Sequence, residues 1–405
     1  MVHKIDTPNA TPGGEFQEKN HATGAAGTTL SADYMNETVQ ESIIDVVEAA
    51  GLTPTKGTPG QFLQALNLLY GSGALQGFSN KLINGGFRIW QRASEFLAIS
   101  AGNSQYTADR WLAYAGDGGG AALDVRRRNF TPGQTAVPGE PEHYLEFDQT
   151  TAASTDAPTL SQRIEDVRTF AGGKMSFSTY LRCDSGTQDV VVHALQNFGT
   201  SGSTKVDTVG PTLNVGTSWA RFTGTITVPS ISGKTLGGGA EPDHFLALVF
   251  EMPQGVTFTM DVADVSAQPG SLANTFAFRP FGIDLAMALR YYRKPYPFDT
   301  TVPTAGKDGH LNRWAGSAGG LDSLNGNRVL DVQFSPEMRA APAVTYYAPQ
   351  STVANRVSWG SGTPDTGGPQ MNGTRHNTGY PDDLTGDSSP ANELVQFHYE
   401  ADAEL

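Results

Sequence analysis

Apolar side chains recur at helical spacing in the first fifth of the chain. Met35, Val39, Ile43, Val46 and Ala50 fall four, four, three and four residues apart, with Ile44 and Val47 widening the stripe. This spacing predicts a helix over Ser31–Ala50, capped by Ser31 or Asp33 and stopped by Gly51 and Pro54. A second helix is expected from Thr58, where Thr58-Pro59-Gly60-Gln61 has the form of a capping box with proline at the first helical position. Its apolar face is Phe62, Leu63, Leu66, Leu69 and Tyr70, and Gly71 and Gly73 end it. Two helices this short cannot bury their faces alone. Their partner is either the rest of the chain or further copies of the same pair.

From Asn80 onward the period changes to two. An Asn84-Gly85-Gly86 turn feeds Phe87-Arg88-Ile89-Trp90-Gln91, which alternates as a strand does. Further strands are expected at Leu123–Asn129, His143–Asp148, Leu160–Asp166, Lys174–Arg182, Asp189–Leu195, Trp219–Val228, Phe245–Glu251 and Val256–Val265. In Lys174–Arg182, Met175, Phe177 and Leu181 lie to one side and Ser176, Ser178 and Tyr180 to the other, with a shift at Thr179. Strands divided by glycine and proline turns in this way fit a jelly-roll sandwich. A helix follows over Phe281–Tyr292, closed by Pro295 and Pro297. Beyond it, Arg328–Phe334, Ala343–Ala348, Ala354–Trp359, Gln370–His376 and Leu394–Ala403 read as strands of a smaller β domain.

Composition narrows the class. The 405 residues are too many for one ordinary domain. Hydrophobic residues make up 38% and charged residues 17%, with a mean hydropathy of −0.32, the balance of a soluble folded protein. There are 47 glycines and 24 prolines, an excess that belongs with many turns and hence with β structure. The net charge of −14 argues against a nucleic-acid partner, because phosphate contacts need Lys and Arg. No apolar run is long enough to span or insert into a membrane, and Met1-Val2-His3-Lys4 lacks the apolar core of a signal peptide. One cysteine, Cys183, permits neither an internal disulfide nor a cysteine metal cluster.

The run INGGF-x-IWQR (Ile83–Arg92) followed by YTADRW (Tyr106–Trp111) resembles the opening of the jelly-roll, carbohydrate-binding-module-like domain of bacteriophage tail fibres. LSQRIEDVRTFAGGKMSFSTYLR, SWARFTGTITVP and TFAFRPFG resemble later parts of the same domain, and an LALRYYRK-like helix follows it in similar fibres. FSPEMRAAPAVT and VQFHYEADAEL resemble their terminal β domain. IDTPNATP, Asn20-His21-Ala22-Thr23-Gly24 and AGLTP resemble N-terminal attachment segments. The resemblance implies a mainly β chain with five parts: an extended virion-attachment arm over 1–30, trimerisation and attachment helices over 31–79, a jelly roll over 80–280, a linker helix over 281–299 and a β tip over 300–405. It also implies a homotrimer in the virion tail, joined to a tail or baseplate protein through the arm. Met35, Val39, Ile43, Val46, Phe62, Leu66 and Leu69 would then face the threefold axis.

Motifs for catalysis are sparse, and no enzyme, cofactor or metal site is expected. The histidines form no H-E-x-x-H pair, and Gly71-Ser72-Gly73 and Gly360-Ser361-Gly362 lack the nucleophile-elbow form. Glu241, Asp243 and His244 read as a solvated loop before a strand sooner than as ligands, and Arg126-Arg127-Arg128 as an exposed strand edge. Aromatics carry more. A pyranose ring shows an apolar C–H face, so sugars lie on flat aromatic surfaces with amide, guanidinium and carboxylate groups at the rim. Arg313, Trp314, Trp359, Arg375, His376 and Tyr380 stand in loops rich in small polar residues and are the expected contacts for a host surface polysaccharide. Two alternatives remain: a purely structural collar, head or decoration fibre, and a glycan depolymerase using two carboxylates.

Overall fold

The computed structural model describes residues 41–55, 60–71, 79–239, 241–306, 308–314, 332–354, 358–359, 370–371, 378–379, 381–382 and 394–405. The chain divides into two compact units, Met1–Gln76 and Gly77–Leu405. No helix among the described residues is long and apolar enough to cross a membrane.

In the first unit, α1 (Glu41–Ala49) packs against α2 (Gln61–Gly71). Val47 and Ala65 are buried, whereas Ile43, Phe62 and Leu63 remain 40%, 41% and 54% exposed. Val46 and Leu66 are half-buried. Met35, Val39 and Thr58 lie outside the described residues, as does the side chain of Leu69. Gln61 instead braces the preceding loop, accepting the Thr55 amide at 2.9 Å and donating to the Thr53 carbonyl at 3.0 Å.

The second unit is mainly β. Twelve antiparallel strands form two six-stranded sheets: β1 (Glu95–Ser100), β2 (Ser104–Tyr106), β3 (Trp111–Tyr114), β4 (Ala122–Asn129), β5 (His143–Thr151), β6 (Thr159–Glu165), β7 (Lys174–Cys183), β8 (Gln188–Asn197), β9 (Val206–Val215), β10 (Ala220–Thr227), β11 (Phe245–Glu251) and β12 (Phe258–Pro269). One sheet runs β1-β4-β5-β12-β7-β10 and the other β2-β3-β6-β11-β8-β9. Alternation along β5 shows the layers. Leu145 and Phe147 of β5 are fully buried between the sheets, while Tyr144, Glu146 and Asp148 stand half-buried on the outer face. The expected shift at Thr179 lies on one side of β7. Register with β10 is unbroken from Lys174 to Leu181, whereas register with β12 shifts between Ala263 and Ser266, opposite Thr179, whose hydroxyl bonds the Ala263 carbonyl at 3.2 Å.

Three expectations need correction. Phe87–Gln91 is not a strand. Asn84 and Phe87 both have positive φ (56° and 52°), and the segment's backbone groups go to side chains. The Asn84 carboxamide accepts from the Ile89 amide at 2.9 Å and donates to the Ile89 carbonyl at 2.8 Å, and Asp109 accepts the Gln91 amide at 2.8 Å. Burial does not alternate either: Ile89, Trp90 and Gln91 are buried in succession, and Trp90 and Trp111 both enter the core, where the Phe87 and Trp111 rings lie 5.1 Å apart. The Arg126–Arg128 run is not an edge, since β4 lies between β1 and β5. Lastly, the helix α3 (Phe281–Ala288) ends before Tyr292, which begins β13 (Tyr292–Arg293).

The remaining strands gather on a long one, β21 (Leu394–Asp402), which pairs with β13, β14 (Leu311–Trp314), β16 (Ala343–Tyr347) and β17 (Ser358–Trp359). Four two-residue strands complete the described set: β15 (Val332–Gln333) with β19 (Thr378–Gly379), and β18 (Gln370–Met371) with β20 (Pro381–Asp382). Tyr346, Phe397, Tyr399 and Met338 form a separate small core. This part is fastened to the sandwich through the signature stretch: Arg92 holds Asp402 at 2.8 Å and Arg110 holds Glu404.

Candidate functional site

The outer face of the β4-β5-β12-β7-β10 region gathers aromatic and charged groups in one place. Phe130 follows β4, Tyr144 lies on β5 and Trp219 precedes β10. Their ring centroids are 4.8 Å (Phe130–Tyr144), 5.3 Å (Phe130–Trp219) and 5.4 Å (Tyr144–Trp219) apart, and Tyr144 meets Trp219 edge-on at 81°. All three rings are half-buried, so each keeps surface for a ligand. Register explains the convergence. Asp261 of β12 pairs with Glu146 of β5 on one side and with Arg182 of β7 on the other. Residues distant in sequence are thereby laid in one row across the sheet.

The polar groups of this row are mutually held. Arg182 stands 5.0 Å over the Trp219 ring and 5.7 Å over Tyr144, and its Nε donates to Asp261 Oδ2 at 2.7 Å. Arg128 grips Glu146 with two bonds of 2.8 Å, and Arg126 reaches both Glu146 and Asp148 at 3.1 Å. Asp261 is 8% exposed, and its Oδ1 has no hydrogen-bond partner among the described residues. Burial, partly offset by Arg182, pushes its carboxyl up to about 6. Burial also raises the Tyr144 hydroxyl. Flat rings beside a fixed guanidinium can receive the C–H face of a sugar, with its hydroxyls at the guanidinium rim.

Sequence reasoning missed this face, and its own candidates stand elsewhere. Arg313 and Trp314 belong to β14 and Trp359 to β17, with their side chains outside the described residues. Backbone register sets Arg313 and Trp359 on opposite sides of Val395 in β21. Arg375, His376 and Tyr380 lie outside the described residues. In the loop before β11, Asp243 accepts the Thr200 amide at 3.0 Å, a bond set that lowers its pKa together with the Thr200 hydroxyl, while His244 stands 3.5 Å from Asp166.

No protein-family model matches this chain, and no curated protein matches it. Solved structures similar to it over nearly half its length include carbohydrate-binding modules and a phage tailspike domain. A family 4 carbohydrate-binding module has 21% identity, covering 46% of this chain and 98% of its own, with a TM-score of 0.28. The family 11 carbohydrate-binding module of Clostridium thermocellum, solved with a mixed-linked β-1,3-1,4 tetrasaccharide, has 12% identity over 45% of this chain and 99% of its own, also at 0.28. The enzymatically active domain of tailspike protein 4 from bacteriophage CBA120 has 12% identity over 48% of this chain and 22% of that one, at 0.28. At such identities and scores these likenesses carry no statement about the ligand of this chain.

Proposed function

We propose that this chain is a trimeric fibre protein of a bacteriophage tail that binds a host-surface glycan without cleaving it. The observation that carries the glycan reading is the Phe130–Tyr144–Trp219 cluster with Arg182 and Asp261 beside it. The tail-fibre reading rests on the sequence resemblance. The Ile43, Phe62 and Leu63 side chains left exposed by the α1–α2 pair support self-association, because apolar surface of this kind gains most from a partner. Attachment to a tail or baseplate protein is assigned to residues 1–30, which lie outside the described residues. The tip residues Trp314, Trp359 and Tyr380 remain a second candidate contact, on the strength of their aromatic chemistry.

The test is retention of purified full-length protein on host surface polysaccharide, with reducing ends assayed in parallel. Binding that Trp219→Ala weakens, without release of reducing ends, supports the reading. Binding lost only in Trp314→Ala, Trp359→Ala or Tyr380→Ala moves the contact to the tip. Release of reducing ends makes the protein a depolymerase, and absence of binding to any host glycan makes it a structural fibre.

A further inference from the structure

On this acidic chain, cations collect around Lys81. Two cavities meet there, of about 240 and about 490 Å³, and both are bordered by Lys81 and Thr169. Arg110, Arg163 and Arg290 line the first, with Glu165 as its one carboxylate. Arg168 and Lys174 line the second. Three of these cations are already matched: Arg110 with Glu404, Arg168 with Asp166 at 3.2 Å, and Arg290 with Glu165 at 3.4 Å. Arg163 bonds the Leu405 carbonyl and lies 4.8 Å over the Phe245 ring. Lys81 and Lys174 are exposed and pair with no carboxylate among the described residues. A chain of net charge −14 that leaves two ammonium groups unmatched at one place holds a local field for an anion there.

The cavity walls say more about the occupant. Ile83 and Met287 in the first, and Phe170 and Pro269 in the second, give each a substantial apolar lining beside its charges. A bare inorganic anion has no use for apolar walls, whereas a sugar ring carrying an acidic substituent uses both. The larger, about 490 Å³, falls within the roughly 300–1,000 Å³ of small-molecule sites, and the smaller adjoins it at Lys81 and Thr169. These cavities open beside β6 and α3 and are lined by none of Phe130, Tyr144, Trp219, Arg182 or Asp261, so they are separate from the aromatic face. We propose that the two adjoining cavities around Lys81 form a subsite for a sugar bearing a carboxylate or phosphate, so that the glycan recognised by this chain is acidic. The proposal rests on the glycan-binding reading above and names the charge class of its ligand.

The experiment compares full-length wild type, the Lys81→Ala/Lys174→Ala double variant and Trp219→Ala by affinity electrophoresis. The probes are polygalacturonate, a phosphomannan, uncharged galactan and poly-aspartate. Both lysines are exposed, so the double variant is expected to keep the wild-type melting temperature. Wild type should prefer an acidic polysaccharide over galactan, with the preference shrinking as salt rises from about 0.05 to about 0.5 M. The double variant should lose about tenfold in affinity for the acidic polymer, the scale of two partly exposed charge contacts. Its affinity for galactan should not change. Preference for polygalacturonate identifies a carboxylate ligand, and preference for the phosphomannan a phosphate. Unchanged acid preference in the double variant overturns the subsite while leaving the Trp219 face standing. Equal retention by poly-aspartate overturns it in favour of an acidic protein partner. No binding of any polysaccharide by wild type overturns both this inference and the glycan reading.

Discussion

The Arg110 guanidinium lies 3.5 Å from the centroid of the Tyr291 ring and at the same time pairs with Glu404. One side chain of the Tyr106–Trp111 signature thus joins the segment after α3 to the end of β21. The pair is deeply buried, with side-chain exposures of 1% and 5%. Removing Arg110 leaves the buried Glu404 carboxylate with the longer Arg92 contact at 3.5 Å, at a cost of up to about 3–5 kcal/mol, the scale of a broken buried pair. Arg110→Ala is therefore expected to lower the denaturant midpoint sharply. An unchanged midpoint would show that the second unit does not depend on this contact.

Gly85 marks a second point of dependence. A Cβ built there would stand 2.1 Å from the Val265 carbonyl oxygen, while the Val265 amide donates to the Gly85 carbonyl at 2.9 Å. The contact is backbone on backbone, so no rotamer can relieve it. Gly85→Ala should destabilise by about 1–3 kcal/mol, the range of overpacked sites. Urea unfolding followed by tryptophan fluorescence measures it.

Acidity should change stability through Asp264. This residue is 1% exposed, its Oδ1 has no partner among the described residues, and burial pushes its carboxyl from 3.8 up to about 7. The folded state binds the proton more tightly than the unfolded one. Stability is then greatest below about pH 4, falls as pH rises, and levels off above about pH 7. Asp264→Asn removes this loss, and asparagine tolerates the φ of 48° found there. At pH 8 the variant should be more stable than wild type by up to about 4 kcal/mol, and by little at pH 4. Thermal melts at the two pH values decide it, and equal differences at both would refute the assignment.

Arg182 links stability to the aromatic face. Truncating it leaves the buried Asp261 carboxyl without the guanidinium 2.7 Å away and removes the cation over Trp219. Arg182→Ala should push the Asp261 pKa further up and weaken glycan binding several-fold, given about 1 kcal/mol for a cation–π contact. Carbon-13 detected carboxyl titration reads the first effect and affinity electrophoresis the second.

Self-association is expected through α1 and α2. Sedimentation equilibrium should give about three times 43.0 kDa. Phe62→Glu, at a position 41% exposed, should lower the mass without disturbing the β unit. A monomeric wild type at micromolar concentration would exclude the trimer.

Where period two coincides with a half-buried sheet, as in β5, the sandwich is readable directly, and β11 is readable as a continuous apolar run. β9 was missed because Gly210-Pro211 reads as a turn. It is tolerated there because β9 is an edge strand and the register of β8 shifts between Val191 and His193. The Phe87–Gln91 segment reads as a strand from its apolar spacing, but Ile89, Trp90 and Gln91 are buried in succession, and Asn84 and Asp109 supply the bonds that a neighbouring strand would. The aromatic face left no local signal. Tyr144 and Trp219 are brought together only by the β5-β12-β7-β10 order, which is a property of topology and not of any short window.

The Arg110–Glu404 contact spans 294 residues of sequence. During synthesis at about 5–20 residues per second, Arg110 leaves the ribosome roughly 15–60 s before its partner is made. For that interval the guanidinium has no Glu404 to meet, and the signature stretch cannot complete its native contacts. The second unit is therefore finished late, when the end of β21 arrives. Until then, Arg92 and Arg110 lack Asp402 and Glu404 and face water or whatever carboxylate lies nearest.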